Sequence, residues 1–386
     1  MLDQINQMGH VSILSPAMKW CFKRRTTQIL VFLFTGLLLQ RAVKVLNVTT
    51  AYRPTLETVF GGRQQAHARR HVLLWTQMRS GSRLTMHLLT STLFSVFTEE
   101  PLKGREQEGV NASVSFLKDI SMCRFAQRPD FYRSWIYGKQ NEDNEIRELC
   151  SEEATLCSNP AMMEALCQVA SVNLIRVVAV DLSFATPLLQ DPSLTGRVIH
   201  LVRDPRALLT SRSKGQGDFG TWVLAKGILR LEKNPALVCD RYRRDLTAAR
   251  SHLRQFPQRY TLVRYEDLAL HPQAEVRRLY AFMDLPYTPL VAHKVAHHTL
   301  GLVDEITSTH PFSTFKNSTA TVFEWRGRLP FTEVERIQQV CGDVLQAYGY
   351  RLFTSRQDYE NHESHIVMPL RDDSWGSHSS THSLIH

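Results

Sequence analysis

Several common signatures are missing from this 386-residue sequence, and each absence closes a route. There is no Gly-x-x-x-x-Gly-Lys-[Ser/Thr] loop, which argues against a magnesium-dependent nucleoside triphosphatase. No Cys-x-x-Cys pair occurs, which disfavours a zinc ribbon or a thioredoxin-type redox site. His293 and His297 stand four apart, but no Glu follows His293 as the helix of a zinc protease requires. Arginine is spread along the chain rather than gathered in one arm, and no zinc-finger or RNP-like pattern appears, so nucleic acid is not the expected partner. No internal repeat is apparent. Disorder of the whole chain is excluded by 43% apolar residues, and the net charge of +9 suits an anionic partner such as a phosphorylated nucleotide or an acidic glycan.

What is present begins with a charge step. Lys19, Lys23, Arg24 and Arg25 precede an uncharged run from Thr26 to Gln40 whose apolar centre is Ile29 to Leu39. That order predicts a cytoplasmic N-terminus and a lumenal body, the type II topology. The run is shorter than the roughly 20 residues of a full span, which fits a thin early-secretory bilayer or a cleaved signal peptide. No small-residue cleavage site closely follows Leu39, which favours the anchor. Asn47-Val-Thr49, Asn111-Ala-Ser113 and Asn317-Ser-Thr319 are N-glycosylation sequons. Cys21 precedes the run, and Cys123, Cys150, Cys157, Cys167, Cys239 and Cys341 follow it, an even count that permits three disulfides of unspecified pairing.

Residues 41–70 read as a polar stem. His71 to Gln77 is the first strongly strand-like stretch, and Leu84 to Phe97 is apolar at helical spacing, so the opening unit is strand, tight loop, helix. Lys103 to Ala170 reads as a helical and irregular insertion. Strands are expected at Asn173 to Val180, Val198 to Val202 and Tyr260 to Arg264. Asp204-Pro205 starts a helix that runs to about Ser213, with Asp as N-cap and Pro in the first turn. Further helices are expected at Pro272 to Met283 and Phe331 to Tyr348. The pattern predicts an α/β fold with a mostly parallel sheet flanked by helices. Beyond Asp358 the His-, Ser- and Asp-rich sequence predicts a disordered tail.

Two places read as anion cradles. In Arg79-Ser80-Gly81-Ser82 a strand ends, glycine lets the backbone approach, and successive amides and hydroxyls point at a phosphate on a helix N-terminus; taken alone, the same four residues also suit an ordinary turn. In Val198-Ile-His-Leu-Val-Arg-Asp-Pro-Arg-Ala-Leu-Leu-Thr-Ser211, Arg203 closes a strand and Ser211 follows two helical turns later, so both side chains reach one phosphate; the alternative is a structural Arg203 paired with Asp204. His200 lies inside an apolar strand and reads as a core residue, and Glu266 and Asp267 read as braces of the fold.

Together these motifs resemble the carbohydrate sulfotransferase family, in the branch acting on the 6-hydroxyl of N-acetylglucosamine, galactose or N-acetylgalactosamine. The resemblance spans about residues 71–353 and includes Arg264-Tyr-Glu-Asp-Leu-Ala-Leu270, Arg277-Arg-Leu-Tyr280, Trp325-Arg326 before Leu329-Pro-Phe331, and Gly349-Tyr350. It implies a P-loop-like sulfotransferase fold behind an N-terminal membrane anchor, with 3′-phosphoadenosine 5′-phosphosulfate as donor, no metal, and a glycan or glycosaminoglycan acceptor. Arg79, Ser80, Gly81 and Ser82 match the residues that bind the 5′-phosphosulfate, and Arg203 with Ser211 those that bind the 3′-phosphate. Arg79 is then placed beside the leaving oxygen. A Glu-Pro after the first helix in related enzymes makes Glu100 the expected general base, with Glu99 its nearest competitor. Arg83 departs from the pattern, standing where the family has a second hydroxyl residue. The implied layout is a cytoplasmic tail (1–25), a signal anchor in the Golgi membrane (26–40), a stem (41–70), a lumenal sulfotransferase domain (71–357) and a disordered tail (358–386). Two other readings stay open: a lumenal glycan-binding relative without catalysis, and a lumenal nucleotide-dependent kinase or hydrolase.

Overall fold

In the computed structural model, which describes residues 70–91, 95–105, 107–137, 150, 157–178, 180–214, 232–300, 317–370 and 375, five strands form one sheet. They are β1 (His71–Thr76), β2 (Ser95–Glu99), β3 (Val172–Val177), β4 (Arg197–Val202) and β5 (Tyr260–Arg264), in the order β2-β3-β1-β4-β5, every pairing parallel. A parallel pair needs a crossover, and crossovers put helices on both faces, so the strands are buried on both sides and read as continuous apolar runs. Alternation along β1 sends Leu73 and Trp75 to one core layer and Val72 and Leu74 to the other.

The helices in chain order are α1 (Ser82–Leu89), α2 (Val110–Ser121), α3 (Pro129–Tyr137), α4 (Pro160–Val169), α5 (Thr186–Gln190), α6 (Pro205–Lys214), α7 (Pro235–Gln255), α8 (Tyr265–Leu270), α9 (Pro272–Phe282), α10 (Pro289–Thr299), α11 (Ser318–Thr321), α12 (Phe331–Ala347) and α13 (Arg356–Glu360). Phe116 of α2, Trp135 of α3, Tyr242 of α7 and Val344 of α12 pack on the Trp75 face. Met86 of α1, Leu268 of α8, Leu279 of α9 and Val295 of α10 pack on the Leu74 face.

The structure corrects the expected opening helix over Leu84 to Phe97. The helix stops at Leu89, where Met86 O takes both the N–H of Thr90 at 3.0 Å and its Oγ1 at 2.9 Å, and Ser91 Oγ donates to His87 O at 2.8 Å, satisfying a carbonyl at the helix end with a side chain. The segment Ser95-Val-Phe-Thr-Glu99, rich in β-formers, then pairs with β3 as the edge strand. Glu100 therefore follows a strand, not the first helix. The longest helix among the described residues, α7, escaped the pattern reading: its core stripe of Val238, Tyr242, Leu246 and Ala249 is apolar at helical spacing but interleaved with arginines. The disordered tail expected over 358–386 is corrected for its first part, since α13 ends at Glu360 with Tyr359 buried, Tyr350 bridges Val367, and Ile366 and Trp375 are buried; 371–374 and 376–386 lie outside the described residues. The expected anchor over 26–40, the tail before it and nearly all of the stem lie outside the described residues; among those described, no helix is long and apolar enough to cross a membrane.

All six cysteines after the apolar run are paired, as Cys123–Cys167, Cys150–Cys157 and Cys239–Cys341. The third ties α7 to α12 across 102 residues, whereas the second closes a loop of only 7. The denatured chain loses more entropy when a longer loop is closed. Replacing Cys239 and Cys341 with Ala should therefore cost about 2 kcal/mol more stability than replacing Cys150 and Cys157. Urea unfolding of the two double variants checks this, and the opposite ranking would sink it.

Candidate active site

The site lies where β1 and β4 end side by side, an adjacency set by their pairing of Thr76 with Leu201. Ligands of open α/β sheets bind in the crevice beyond such strand ends. After β1 the chain turns through Arg79 at φ 71° and Gly81 at φ 90° into α1. Gly81 is required twice over. Its backbone is left-handed, and a Cβ there would collide with the Tyr265 ring packed against it.

The protons of the cradle hydroxyls can be assigned one by one. Thr76 Oγ1 donates to Leu201 O at 2.7 Å, so in its 2.5 Å contact with Ser80 the single remaining proton is that of Ser80. The Ser80 hydroxyl, fully buried, is thus directed into the fold, and only its backbone N–H remains for the loop's ligand. Ser82 differs, because its Oγ accepts from Arg176 Nη1 at 3.0 Å and its own proton is left to donate. Ser211 is arranged the same way, with Oγ accepting from Arg79 Nε at 3.1 Å.

Arg79 and Ser211 come from the two separate cradles, so the structure brings both into one site. Arg203 completes the join, donating from Nη1 to Arg79 O at 2.9 Å with its guanidinium 4.6 Å from the Tyr265 ring centre. The alternative pairing of Arg203 with Asp204 is not what the structure has. Asp204 instead accepts from the backbone N–H of Arg206 at 2.8 Å, capping α6, and from the Arg206 guanidinium at 2.7 Å. Arg203 is left facing the crevice, with its buried Nε lacking a hydrogen-bond partner among the described residues. Burial, and secondarily the charge of Arg203, pull the Arg79 pKa below its ordinary value. Two guanidinium groups held together out of water form an anion-binding arrangement.

Further residues hold this geometry: Arg212 and Tyr242, which the pattern reading did not single out, and Glu266, Asp267 and His200, which it read as braces and core. Arg212 donates to Met78 O at 3.1 Å and to Glu232 O at 2.7 Å, fixing the loop ahead of Arg79. Tyr242 donates to Arg203 O at 2.7 Å. Glu266 is fully buried behind Arg203, its Oε1 accepting from Asp204 N at 3.1 Å and its Oε2 from Tyr350 Oη at 2.8 Å. Asp267 pairs with Arg264 at 2.6 Å. His200 is buried and bonded to Tyr260 Oη at 2.8 Å, and burial pulls its pKa down to about 3, so it stays neutral in the core.

On the other side of the cradle stand the two candidate bases. Glu99 is in register with Arg176 across the β2–β3 pair, and Glu100 is the next residue, at φ 48°. Arg176 Nη2 donates to Glu99 Oε2 at 2.6 Å and to Glu100 Oε1 at 2.8 Å. Glu99 also meets Arg83, its Oε1 lying 3.6 Å from Arg83 Nε, so both of its oxygens face arginines. Arg83 thus joins the acidic pair. Of the four non-glycine residues with positive φ among the described residues, Arg79 and Glu100 are at this site. Such strain persists where the surroundings over-determine it, and it clusters at functional sites.

A separate groove of about 300 Å³ opens beside Leu209, Thr210 and Ser213, on the face of α6 turned away from Ser211. Two of its cations, Arg328 and Arg336, are already paired with Glu324 and Glu333. The crevice above β1 and β4 is where convergent charge lies. Among the described residues no three His, Cys, Asp or Glu side chains converge as metal ligands do.

A parallel sheet carrying two fused arginine–serine cradles beyond its strand ends defines a class of anion-binding α/β protein. Comparison with known proteins narrows it. Residues 195–289 match the Sulfotransferase family. The chain is 31% identical to Homo sapiens carbohydrate sulfotransferase 6 over 394 residues, covering 90% of this chain and 96% of that protein. It is 30% identical to Mus musculus carbohydrate sulfotransferase 5 over 321 residues, 80% of each. Of solved structures, the sulfotransferase domain from the Synechococcus PCC 7002 olefin synthase is 18% identical with a TM-score of 0.41, over 75% of this chain and 98% of that one. A mouse sulfotransferase complexed with PAP is 10% identical with a TM-score of 0.38, over 72% and 85%. The chain belongs to the carbohydrate sulfotransferase family and is an enzyme of that family.

Burial, and secondarily the charge of Asp204, push the Glu266 carboxyl from an ordinary 4.5 up to about 7. A carboxyl that holds its proton more tightly when folded contributes stability below its ordinary pKa and loses it as pH rises toward the folded value. Glu266→Gln removes this titration. The stability of the wild type relative to that variant should fall as pH climbs from 4.5 to about 7. Thermal melts of both proteins across that range provide the check, and parallel curves would show that Glu266 does not titrate there.

Proposed function

We propose that this protein transfers the sulfuryl group of 3′-phosphoadenosine 5′-phosphosulfate to the 6-hydroxyl of N-acetylglucosamine, galactose or N-acetylgalactosamine in a glycan or glycosaminoglycan. The observation that carries the reading is the joining of Arg79, Ser211 and Arg203 in one crevice, in a chain whose relatives are named carbohydrate sulfotransferases. The residues fit such a donor. Arg203 Nε is buried with no partner among the described residues, and the Ser82 and Ser211 hydroxyls each have a proton to donate.

The donor supplies an activated sulfuryl group and a phosphate leaving group; positioning and electrostatics fall to the protein. In this reading Arg203 and Ser211 hold the 3′-phosphate, while the N–H groups at the start of α1 and the Ser82 hydroxyl hold the 5′-phosphosulfate. Arg79 faces the bridging oxygen, where negative charge grows as the S–O bond breaks and the electron pair goes to the phosphate. Glu100 accepts the proton of the sugar hydroxyl as its oxygen bonds to sulfur. Glu100 suits that task better than Glu99, whose two oxygens both face arginines.

Two substitutions separate binding from chemistry. Calorimetry with 3′-phosphoadenosine 5′-phosphate should show Arg203→Ala losing about 2 to 4 kcal/mol of affinity, the worth of a charged contact. Glu100→Gln should keep that affinity and lower sulfate transfer by a factor of about 10² to 10⁴. Transfer by Glu100→Gln within about tenfold of the wild type would remove Glu100 as the base.

The reading extends to a Golgi enzyme anchored in type II fashion, motivated by the charge step before Thr26, the sequons and the paired cysteines. Asn111 and Asn317 are exposed, as glycan acceptors need to be. Protease added to sealed microsomes should spare everything after about Val43, and glycosidase should shift the protected band. A C-terminus open to cytosolic protease would overturn this topology.

A further inference from the structure

Resting on that reading of the site, we propose that Arg176 is a positioning residue that sets the Glu100 carboxylate against the donor loop. Arg176 belongs to β3, in register with Leu74 of β1 on one side and Glu99 of β2 on the other. Strand alternation sends Ile175 and Val177 into the α2 and α7 layer, and Leu174 into the α1 layer. Arg176 follows Leu174 in that alternation, and its guanidinium meets the first residue of α1.

The side chain is 10% exposed, and its fork is divided between two tasks. Nη1 donates to Ser82 Oγ at 3.0 Å, while Nη2 donates to Glu99 Oε2 at 2.6 Å and Glu100 Oε1 at 2.8 Å. One planar group thus touches the donor cradle with one nitrogen and the acidic pair with the other. A guanidinium is suited to this because its donors diverge in a fixed plane, whereas an ammonium presents them from a single point.

The direction of the Ser82 bond matters most. Because Ser82 Oγ accepts from Arg176, its proton faces away from Arg176 and is available to an anion in the loop. An anion drawing on that proton polarises the chain of bonds from Ser82 through Arg176 to Glu100. Glu100 also hangs on the same strand by its backbone, donating its N–H to Arg176 O at 3.0 Å. Arg176 therefore holds Glu100 from both its main chain and its side chain. The register-paired Glu99, bridged to Arg83, takes a second bond from the same Nη2 and so fixes the guanidinium from the acidic side.

Arg176 touches no reacting atom in this scheme, so its removal should appear in turnover and much less in binding. Arg176→Lys should melt within a few degrees of the wild type yet lower kcat about 100-fold, the effect of misplacing a reacting group by about 1 Å. Its affinity for 3′-phosphoadenosine 5′-phosphate and its KM for the acceptor should change by less than about fivefold, because neither ligand touches it. Introduced into Glu100→Gln, the same substitution should cost less than about threefold further, since the base it positions is already gone. A purely structural residue would give losses that multiply in that background, and this outcome, or unchanged kcat in Arg176→Lys, overturns the proposal. Should the lysine variant fail to fold, Arg176→Gln keeps a buried polar donor in the same place without the forked charge and leaves Glu99 intact. That variant should show the same loss of kcat, and turnover within about threefold of wild type would equally overturn the proposal. A wild-type protein that binds the nucleotide but sulfates no sugar overturns the functional reading as well; an active wild type with an unaffected Arg176→Lys overturns only this inference.

Discussion

The hydrogen bond from the Arg203 guanidinium to the carbonyl of Arg79 is the contact on which the rest of the site depends. It requires the ends of two parallel strands to lie side by side, and it brings two cations together where water is scarce. Like charges in a buried crevice repel, and desolvation adds to the cost. Three things offset this within the protein. A carbonyl oxygen takes one donor, the Tyr265 ring presents its face to Arg203, and Ser211 accepts from Arg79. The fold thereby concentrates positive charge at the position where a doubly phosphorylated ligand would supply the negative.

Tyr265 links that contact to the loop before α1. Its ring occupies the volume a side chain at residue 81 would need, and the same ring lies under Arg203. Gly81 is thus demanded by an element nearly two hundred residues away as much as by its own turn. Behind Tyr265, Glu266 receives the backbone N–H of Asp204 and the Tyr350 hydroxyl, so the second cradle is braced from the C-terminal part of the domain. The opposite wall follows a similar logic. The β2–β3 register sets Glu99 beside Arg176, and the next residue, Glu100, inherits a place beside the first residue of α1 through the same arginine.

Much of the fold was legible because parallel strands are buried on both faces. Val-Ile-His-Leu-Val and Tyr-Thr-Leu-Val-Arg are too apolar and too β-branched to be mistaken. The helix after Asp204-Pro205 was legible for a local reason, an acidic cap ahead of a proline. The failures were equally physical. The run from Leu84 to Phe97 is apolar throughout, and periodicity cannot divide such a run into α1 and β2; the hydroxyls of Thr90 and Ser91 do so by closing the helix. Helix α7 was hidden because its arginines serve other elements. Arg241 reaches Val180 O at 2.7 Å and the half-exposed Arg243 reaches Asp343 at 2.7 Å, so charge there marks contacts as well as surface.

By itself, the sequence determined which residue types stand at the two cradles: Arg79 to Ser82 after one strand, Arg203 and Ser211 after another. It also determined that six cysteines were available to pair, while Glu99 and Glu100 became the acidic candidates only through the resemblance to related enzymes. Only the tertiary structure decided that Ser211 accepts from Arg79, that Asp204 belongs to Arg206, that the Ser80 hydroxyl faces inward, and that Arg176 stands between Ser82 and the two carboxylates. The reason lies in range. Strand and cap signals act over a few neighbouring residues, whereas the direction of a hydroxyl proton or the partner of a guanidinium is set by whichever group the sheet order brings alongside it from a hundred residues away.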